Sequence, residues 1–357
     1  MKSQKIIAIL LTAAVILTGC NTVQPTEATT TTSEETTETT RIVLTDPEPD
    51  PEEQAAKYAY KFNPHLYSKK IGDIIPKEHY EAVYNLIDAL REGRDTFECA
   101  SEEAYNWATS DGTLNNLLPA ACMKVTGKST DGSVPFENGV GRIYLKNITS
   151  EEFVKREADY EAEIEEILNT YLEYDDDDFE KALKLYNYME STFTYGEIDP
   201  SETNDGADYK AFQLKTGVCD HIASIYAYLL MQVGIEALNI GTYEDTCHAW
   251  TYMIINGKSY HSDATWALKS SLSTNDLCLD YFMMSDKRRT ETGCPLNDIT
   301  VQLLPGFWAN KYEGLDFKTA DDKYDILKYC TLTGLNEDTK VLCYTDVNGN
   351  PKELSYA

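Results

Sequence analysis

Apolar and polar residues alternate most clearly between residues 216 and 266. From Cys219 onward, apolar side chains recur at the spacing of one helical face: Ile222, Ala223, Tyr226, Leu229 and Leu230. This pattern predicts a helix whose first turn contains Cys219. Unpaired backbone N–H groups and the helix dipole favour negative charge at that end of a helix. A thiolate, the form of cysteine that attacks a carbonyl carbon, would therefore form more easily there.

A hairpin is predicted after this helix. The dipeptide Asn256-Gly257 separates two segments, CHAWTYMII and KSYHSDATW, that are both rich in β-branched and aromatic residues. Asn-Gly between such segments is the strongest short-range signal for a two-residue hairpin turn. With that turn, Ile255 pairs with Lys258 and the pairing continues outward from there.

The predicted register places a histidine beside a carboxylate. Trp250 would face Asp263, and His248 would face Thr265. His248 and Asp263 would then be diagonal neighbours on one face of the hairpin, about 7–8 Å apart at Cα and within side-chain reach. A carboxylate in that position can hold an imidazole in one tautomer and stabilise its charged form. The helix that carries Cys219 must pack on this face to complete the site.

Each of these residues also has an alternative interpretation. Taken alone, Cys219 would be a buried core cysteine, and only its combination with His248 and Asp263 favours catalysis. His261 is a rival base, because the same register puts it on the same face, further from the strand opening. His221 follows the cysteine by two residues, where the helix turns it away, so a structural or substrate-contacting role is favoured.

The segments GVCDHIASIYAYLL, CHAW and YHSDATW resemble the transglutaminase-like superfamily of papain-type cysteine enzymes. The Cys-His-Asp order of that family matches Cys219, His248 and Asp263. One departure is local, since Asp220 and His221 stand where the family often has small or polar residues. This departure bears on substrate preference more than on the nucleophile.

The resemblance covers roughly residues 179–286 and implies an α+β fold. In that fold, helices pack on an antiparallel sheet in a papain- and transglutaminase-like core, preceded by a mainly helical cap. The backbone N–H of Cys219 is the natural first donor to an oxyanion. By resemblance, an upstream side chain supplies the second donor, and Tyr209 is the candidate. An ordinary place in the cleft wall is equally open for Tyr209.

The first 56 residues are predicted to lie outside the fold. Residues 1–20 have the pattern of an export signal, with Lys2 and Lys5 before an apolar run too short to span a membrane. The final Leu-Thr-Gly-Cys resembles a bacterial lipobox, which implies a lipid on Cys20; an ordinary secretory signal is the alternative. Residues 21–56 are rich in Thr, Glu and Pro and predict a disordered tether.

The rest of the chain divides into three predicted regions. Residues 57–149 form a helical N-terminal region, residues 150–300 a transglutaminase-like catalytic domain, and residues 301–357 a β-rich extension with a hairpin across Asn348-Gly349. The net charge of −29 would repel phosphates, so nucleic acid is excluded as a partner.

Cysteine and acidic patterns give no metal site or cofactor. Nine cysteines minus the lipidated and nucleophilic ones leave seven, which cannot all pair. Disulfides Cys99–Cys122 and Cys278–Cys294 would suit an exported protein. No CxxC or HxxxH spacing occurs, which argues against zinc. The four aspartates at 175–178 lack spaced oxygen ligands, so a solvated helix start is favoured over calcium.

These features together predict an extracellular cysteine enzyme anchored to the bacterial membrane through Cys20. It would act on amide or isopeptide bonds through a thioester. Its substrate would be a protein or peptide, cell-wall associated or dietary, and hydrolysis is favoured over transfer to an amine. The alternative is a catalytically silent module that binds peptide or glycan at the cell surface.

Overall fold

The computed structural model describes residues 59–199, 206–242, 248–271, 277–294 and 296–357. All of these ranges belong to one unit, Asp50–Ala357, and their buried apolar side chains form a continuous core. The predicted export signal, the tether and Cys20 lie outside the described residues. Within them, no helix combines the length and apolar character needed to cross a bilayer.

The chain begins with helices α1 (Lys69–Gly72), α2 (Lys77–Arg91), α3 (Glu102–Ala108) and α4 (Asp111–Leu117). Helix α2 follows Pro76 and ends before Gly93, whose φ of 70° favours glycine. Ser101 and Ser110 cap α3 and α4, because each hydroxyl accepts a hydrogen bond from a backbone N–H of the first turn. These caps explain why the two short helices begin where they do.

Short strands accompany these helices in the N-terminal region. They are β1 (Thr96–Glu98), β2 (Val125–Thr126), β3 (Phe136–Glu137), β4 (Val140–Arg142) and β5 (Tyr144–Leu145). One antiparallel sheet has the order β1-β4-β3, and β2 pairs with β5. A 3₁₀ turn at Pro119–Ala121 lies between α4 and β2. The described part of this region therefore mixes helices with short strands.

Two capped helices lead toward the centre of the chain. Helix α5 (Ser150–Tyr171) begins with a capping box between Thr149 and Glu152. Helix α6 (Asp178–Thr192) begins at the acidic run, where the Asp177 carboxylate accepts a hydrogen bond from the N–H of Glu180 (3.0 Å). The aspartate cluster thus opens a helix, although Asp176 within it is buried and paired with Lys184 (2.5 Å) rather than solvated.

The central sheet and its helices position the residues of interest. Strand β6 (Thr194–Tyr195) pairs in parallel with β7 (Thr216–Gly217), and helix α7 (Ala207–Leu214) precedes β7. Helix α8 (Cys219–Gln232) packs on an antiparallel sheet of β8 (Glu236–Thr242), β9 (His248–Ile255) and β10 (Lys258–Ser262), in the order β10-β9-β8.

The β9–β10 hairpin has the predicted register over its whole ladder. Ile255 pairs with Lys258 next to the Asn256-Gly257 turn, and the pairing runs outward to Thr251 opposite Ser262. Asn256 and Gly257 both have positive φ, 52° and 74°, as a tight primed turn requires.

Beyond this ladder the predicted pairing is wrong. Asp263 does not pair with Trp250, and Thr265 does not face His248, because the chain leaves the strand for helix α9 (Ala264–Ser271). The physical reason is a helix cap: the Asp263 carboxylate accepts a hydrogen bond from the backbone N–H of Trp266 (3.0 Å). The strand ends where that cap begins.

The C-terminal part contains α10 (Asp286–Glu291), 3₁₀ turns at Ala309–Lys311 and Asp325–Leu327, and strands β11 (Thr331–Asn336), β12 (Val341–Thr345) and β13 (Pro351–Ser355). The last three strands form an antiparallel sheet, and β12 and β13 form the predicted hairpin. Tyr356 joins this end to α6, since its ring stacks on Phe179 at 4.4 Å and its hydroxyl donates to Glu180.

No disulfide joins the described cysteines, which are Cys99, Cys122, Cys219, Cys278, Cys294, Cys330 and Cys343. The two predicted disulfides, Cys99–Cys122 and Cys278–Cys294, are therefore not formed. The folded unit relies on its apolar core rather than on crosslinks among these residues.

Candidate active site

Cys219 is the first residue of α8, as the apolar spacing predicts. The turn before it needs glycine at position 217, because a Cβ there would lie 2.8 Å from the Cβ of His221. His221 supports this turn: its Nδ1 accepts a hydrogen bond from the backbone N–H of Val218 (3.3 Å). The structural role predicted for His221 is thus visible as a contact that holds the loop entering the helix.

The Cys219 side chain is half-buried and lines a cavity of about 90 Å³. The other residues around this cavity come from α8, β8, β9 and the segment after residue 299: Asp220, Asn239, Gly241, Thr242, His248, Ala249, Thr300, Gln302 and Phe307. We call this space the catalytic cavity. The His248 side chain and the backbone of Ala249 lie at this cavity as well, and both lower the pKa of the thiol.

His248 opens strand β9 and lies between the thiol and a carboxylate. Its Nε2 is 2.6 Å from Oδ2 of Asp263. Because Nε2 is taken by the carboxylate, Nδ1 is the nitrogen left for Cys219. The imidazole also stacks on the Trp266 ring, with centroids 4.7 Å apart and planes 16° from parallel. The structure therefore brings together the three residues that the motifs single out.

Asp263 is fully buried, and its carboxylate has three hydrogen-bond donors. Oδ1 accepts from the N–H of Trp266, while Oδ2 accepts from His248 and from Nη1 of Arg289 at 2.8 Å. Burial alone would raise the pKa of this carboxyl, but the positive charges of His248 and Arg289 outweigh it and lower the pKa to about 2. Asp263 therefore stays ionised at neutral pH.

Arg289 was missed by the sequence analysis. It lies on α10, is fully buried, and places its guanidinium over the rings of Trp250 (4.1 Å) and Trp266 (4.9 Å). The available signal was the pair Arg288-Arg289, which follows the apolar YFMM stretch after three intervening residues. Arginine in such surroundings needs a buried partner, but only the folded chain shows that the partner is Asp263.

The surroundings shift the thiol and imidazole pKa values toward each other. Burial would raise the pKa of Cys219, but the hydrogen bonds from His248 and the Ala249 backbone lower it below the ordinary 9.0. Burial would lower the pKa of His248, but the charge and hydrogen bond of Asp263 raise it above the ordinary 6.5. Both shifts favour a thiolate beside an imidazolium.

His261 has partners of its own. The ring is fully buried, Nδ1 accepts from the indole N–H of Trp250 (3.0 Å), and Nε2 lies 3.1 Å from Asp286. Both ring nitrogens are thus engaged away from Cys219. Burial lowers the pKa of His261, which keeps the ring neutral and suits a structural role.

Tyr209 lies on α7 and is not among the residues that line the catalytic cavity. The Arg156 guanidinium lies 3.5 Å from the centre of its ring, and its hydroxyl accepts a hydrogen bond from Gln213 (2.6 Å). The ring also packs near Tyr160 on α5. These contacts correspond to the packing alternative and do not place Tyr209 beside the nucleophile.

A polar network on the other side of Cys219 was also missed. The Asp220 carboxylate accepts from Asn239 and from Nε2 of Gln302, both at 2.8 Å. Oε1 of Gln302 accepts from Asn116 (3.2 Å), which fixes the orientation of the amide. The sequence offered no signal for Gln302, because it lies 83 residues after Cys219 (302 − 219) in an irregular segment.

Within the described ranges, no group of three or more His, Cys, Asp or Glu side chains is arranged to hold a metal ion. The site is assembled from a thiol, an imidazole and a carboxylate. These groups are suited to nucleophilic attack followed by proton transfer.

Part of the chain matches a known protein family. Residues 165–266 match the family model of the transglutaminase-like superfamily. The chain carries a transglutaminase-like domain. This confirms the resemblance seen in the three motifs, and the matched range includes Cys219, His248 and Asp263. No curated protein matches the sequence of this chain.

Two solved structures share local similarity with this chain. A candidate cysteine protease from Cytophaga hutchinsonii is 20% identical over 24% of this chain and 30% of its own, with a TM-score of 0.20. A candidate protease from Parabacteroides distasonis is 11% identical over 35% of this chain and 34% of its own, with a TM-score of 0.23. The chain thus matches about a third of the length of each, and TM-scores this low establish no shared overall fold.

We predict that His248, and not His261, sets the reactivity of Cys219. Replacing His248 with Ala removes an interaction that lowers the thiol pKa. At a pH below that pKa, each unit by which the pKa rises lowers the thiolate fraction about tenfold. Iodoacetamide alkylation of Cys219 at pH 7 should therefore slow by about tenfold or more. In the wild type, the alkylation rate should stay constant as the pH is lowered until it reaches the pKa of the Cys219 thiol, which lies below 9.0.

The matched control is His261→Gln, which can still accept from Trp250 and donate to Asp286 and should alkylate at the wild-type rate. Slower alkylation in His261→Gln together with a normal rate in His248→Ala would transfer the role of base to His261.

Arg289 and Asp263 are predicted to be coupled in stability. Arg289→Met alone should cost about 3–5 kcal/mol, because it leaves a buried carboxylate without one of its charged partners. The double variant Asp263→Asn/Arg289→Met should cost clearly less than the sum of the single variants. Guanidinium unfolding measures all three, with Lys287→Met, an exposed cation on the same helix, as the control. Strictly additive costs would contradict a direct charge pair.

Proposed function

We propose that the protein is a cysteine hydrolase that cleaves amide or isopeptide bonds through a thioester acyl-enzyme. The observation that carries the proposal is that the Cys219 thiol and the His248 ring line one cavity, while the Asp263 carboxylate holds the same ring at 2.6 Å. The transglutaminase-like domain supports a papain-type use of these groups. A buried core cysteine would need neither an oriented imidazole nor an ionised carboxylate behind it.

The proposed reaction has two halves. His248 takes the proton of the Cys219 thiol, and the thiolate sulfur attacks the carbonyl carbon of the substrate. The C–N bond then breaks as His248 returns the proton to the leaving amine, which leaves an acyl group on sulfur. Water attacks this thioester while His248 accepts its proton, and release of the acid restores the thiol. Asp263 holds the imidazole tautomer and stabilises its charge throughout.

Gln302 takes the place of Tyr209 in the proposed oxyanion site. The first donor is the backbone N–H of Cys219, which belongs to the open first turn of α8. The Gln302 amide lines the same cavity, and Asn116 orients it so that its N–H₂ group points toward Asp220. One of its two hydrogens bonds Asp220, and the other is the proposed second donor.

Hydrolysis is favoured over transfer to an amine. The catalytic cavity measures about 90 Å³, which admits a few water molecules but no bulky amine beside a bound acyl group. Water is therefore the acceptor that reaches the thioester without rearrangement of the walls.

The proposal includes a location outside the cytoplasm. The apolar run and the Leu-Thr-Gly-Cys sequence that ends at Cys20 support a lipid anchor, followed by the Thr/Glu/Pro-rich tether. On this arrangement the substrate is a protein or peptide at the cell surface. Metabolic labelling with a lipid probe, compared between the wild type and Cys20→Ala, tests the anchor directly.

An acyl-enzyme should be trapped on Cys219 when the protein is treated with an activated ester of an N-acylated amino acid. Mass spectrometry of the peptide containing Cys219 should show the acyl group at early times and its loss as acid is released. Cys219→Ala should lower turnover by about three orders of magnitude or more. Cys343→Ala, a second half-buried thiol on β12, is the control and should acylate normally.

Acylation that is indifferent to Cys219→Ala would contradict the proposal and leave the domain as a binding module. Acylation followed by release only when an amine is added would preserve the nucleophile but overturn hydrolysis.

Two substitutions test whether Gln302 or Tyr209 is the second oxyanion donor. Gln302→Ala should lower kcat for ester and amide substrates by about 10²–10³-fold, the usual effect of removing one oxyanion donor. Tyr209→Phe removes only a hydroxyl that accepts from Gln213, and kcat should not change. Steady-state kinetics of both variants decides between them, and the reverse pattern would restore Tyr209 as the donor.

A further inference from the structure

A second and larger cavity lies next to the catalytic cavity. Its volume is about 790 Å³, and it shares Gln302 and Phe307 with the catalytic cavity as common walls. Apart from Ala207, its lining residues come from outside the matched range 165–266, on α2 to α4, the segment at 122–123 and the segment at 302–307. We call it the N-terminal cavity. Its volume is in the range of about 300–1,000 Å³ typical of ligand sites.

The catalytic cavity is too small to recognise a substrate by itself. Its volume of about 90 Å³ accommodates the scissile group and a few waters at most. Contacts that select a substrate must therefore come from an adjoining surface. The N-terminal cavity adjoins it directly through the side chains of Gln302 and Phe307.

The lining of the N-terminal cavity is largely apolar, and a hydrogen bond to the backbone fixes one of its aromatic rings. Its apolar lining residues include Trp107, Met123, Leu304 and Phe307. The Trp107 indole donates to the backbone carbonyl of Leu303 (2.9 Å), so the ring is fixed before any ligand arrives. A preformed apolar wall with fixed aromatic rings suits a bulky apolar side chain.

The wall between the cavities is built from an unusual backbone. Phe307 has φ of 72°, which side-chain-bearing residues rarely adopt. Two hydrogen bonds impose it: the Phe307 N–H donates to the carbonyl of Leu304 (2.9 Å), and its carbonyl accepts from Val301 (2.8 Å). Such conformations persist where the fold holds them, and they concentrate at binding sites.

The charges around the N-terminal cavity have one sign. Glu103 and Asp111 lie on its rim, and Asp220 lies just across the shared wall. Among the described residues that line this cavity there is no Lys or Arg. An anionic group would be repelled here, while a neutral or cationic one would not.

His79 supplies a further sign that the cavity is built for a ligand. It lines the cavity, is 1% exposed and packs edge-on against Trp107 at 5.5 Å. Neither ring nitrogen has a hydrogen-bond partner within the protein. The Glu103 carboxylate lies 4.0 Å from Nε2, which is beyond hydrogen-bonding distance. Because most buried polar groups are satisfied, both ring nitrogens are left to bond a ligand.

We propose that the N-terminal cavity is the specificity site of the enzyme and receives a bulky apolar side chain of a neutral or cationic peptide, next to the bond presented to Cys219. This inference rests on the proposed function for the position of the scissile bond. A glycan is the less favoured ligand, because the walls offer far more apolar surface than hydrogen-bonding groups.

Peptide binding to the Cys219→Ala protein tests the inference without any need for turnover. Four fluorescent peptides carry Trp, Leu, Gly or Glu at one position and are otherwise identical. The protein is added to each peptide, and binding is measured by fluorescence anisotropy. The Trp and Leu peptides should bind at least tenfold more tightly than the Gly peptide, and the Glu peptide should bind most weakly. Equal affinity for all four would overturn the inference, as would tighter binding of a cell-wall oligosaccharide without apolar side chains.

A cavity-filling substitution locates the binding. Asn106 is exposed on α3 and lines the cavity, so Asn106→Trp should fill its mouth and cut the affinity for the Trp peptide at least tenfold. Glu102→Trp introduces the same side chain at an exposed position of the same helix outside the cavity, and should bind like the parent. Equal binding by the two variants would place the peptide elsewhere and contradict the inference.

The charge of the rim has its own test. Glu103→Lys should strengthen binding of the Glu peptide, and Glu103→Gln should do so to a smaller degree; no change in either would contradict the role assigned to the rim. The proposed function can fail separately. If the Trp peptide binds as expected while the wild type cleaves no peptide, the cavity is confirmed as a binding site and the hydrolase proposal falls.

Discussion

The site depends on one buried carboxylate and the three donors that surround it. Asp263 ends the β10 strand, caps helix α9 and accepts from both His248 and Arg289. A carboxylate without partners would be very unfavourable at this depth. Because each donor belongs to a different element, the carboxylate also fixes where β9, α9 and α10 meet. The same bonds that make its burial tolerable orient the imidazole toward Cys219.

The parts of the chain outside the matched domain complete the site. The segment after residue 299 brings Gln302 to the catalytic cavity, and Asn116 on α4 orients its amide. The N-terminal helices and the 302–307 segment together enclose the larger cavity. Cys219, His248 and Asp263 thus lie within the matched range 165–266, while the flanking regions shape what can approach them. Substrate preference is expected to follow these flanking regions.

Local patterns in the sequence were sufficient for the helix of Cys219 and for the β9–β10 hairpin, because both are set by spacing and by one turn. The end of that hairpin was not predictable by extrapolating the ladder, since the Asp263 cap overrides strand pairing. Arg289 lies 26 residues after its partner Asp263 (289 − 263). Gln302 lies 82 residues after its partner Asp220 (302 − 220). No local rule of sequence links residues this far apart. Tyr209 has the upstream position that the family resemblance implies for a second oxyanion donor. Its ring instead packs against Tyr160 of α5, and Tyr209 does not line the catalytic cavity.

The central claim is that Cys219 is held as a thiolate by an imidazole that Asp263 supports. An ultraviolet difference titration of thiolate absorbance between the wild type and Cys219→Ala measures this ionisation directly. The account predicts a step at a pH below the ordinary thiol pKa of 9.0, which moves upward when Asp263 is replaced by Asn. A step at or above 9.0 that does not respond to Asp263→Asn would show that the three groups do not act together.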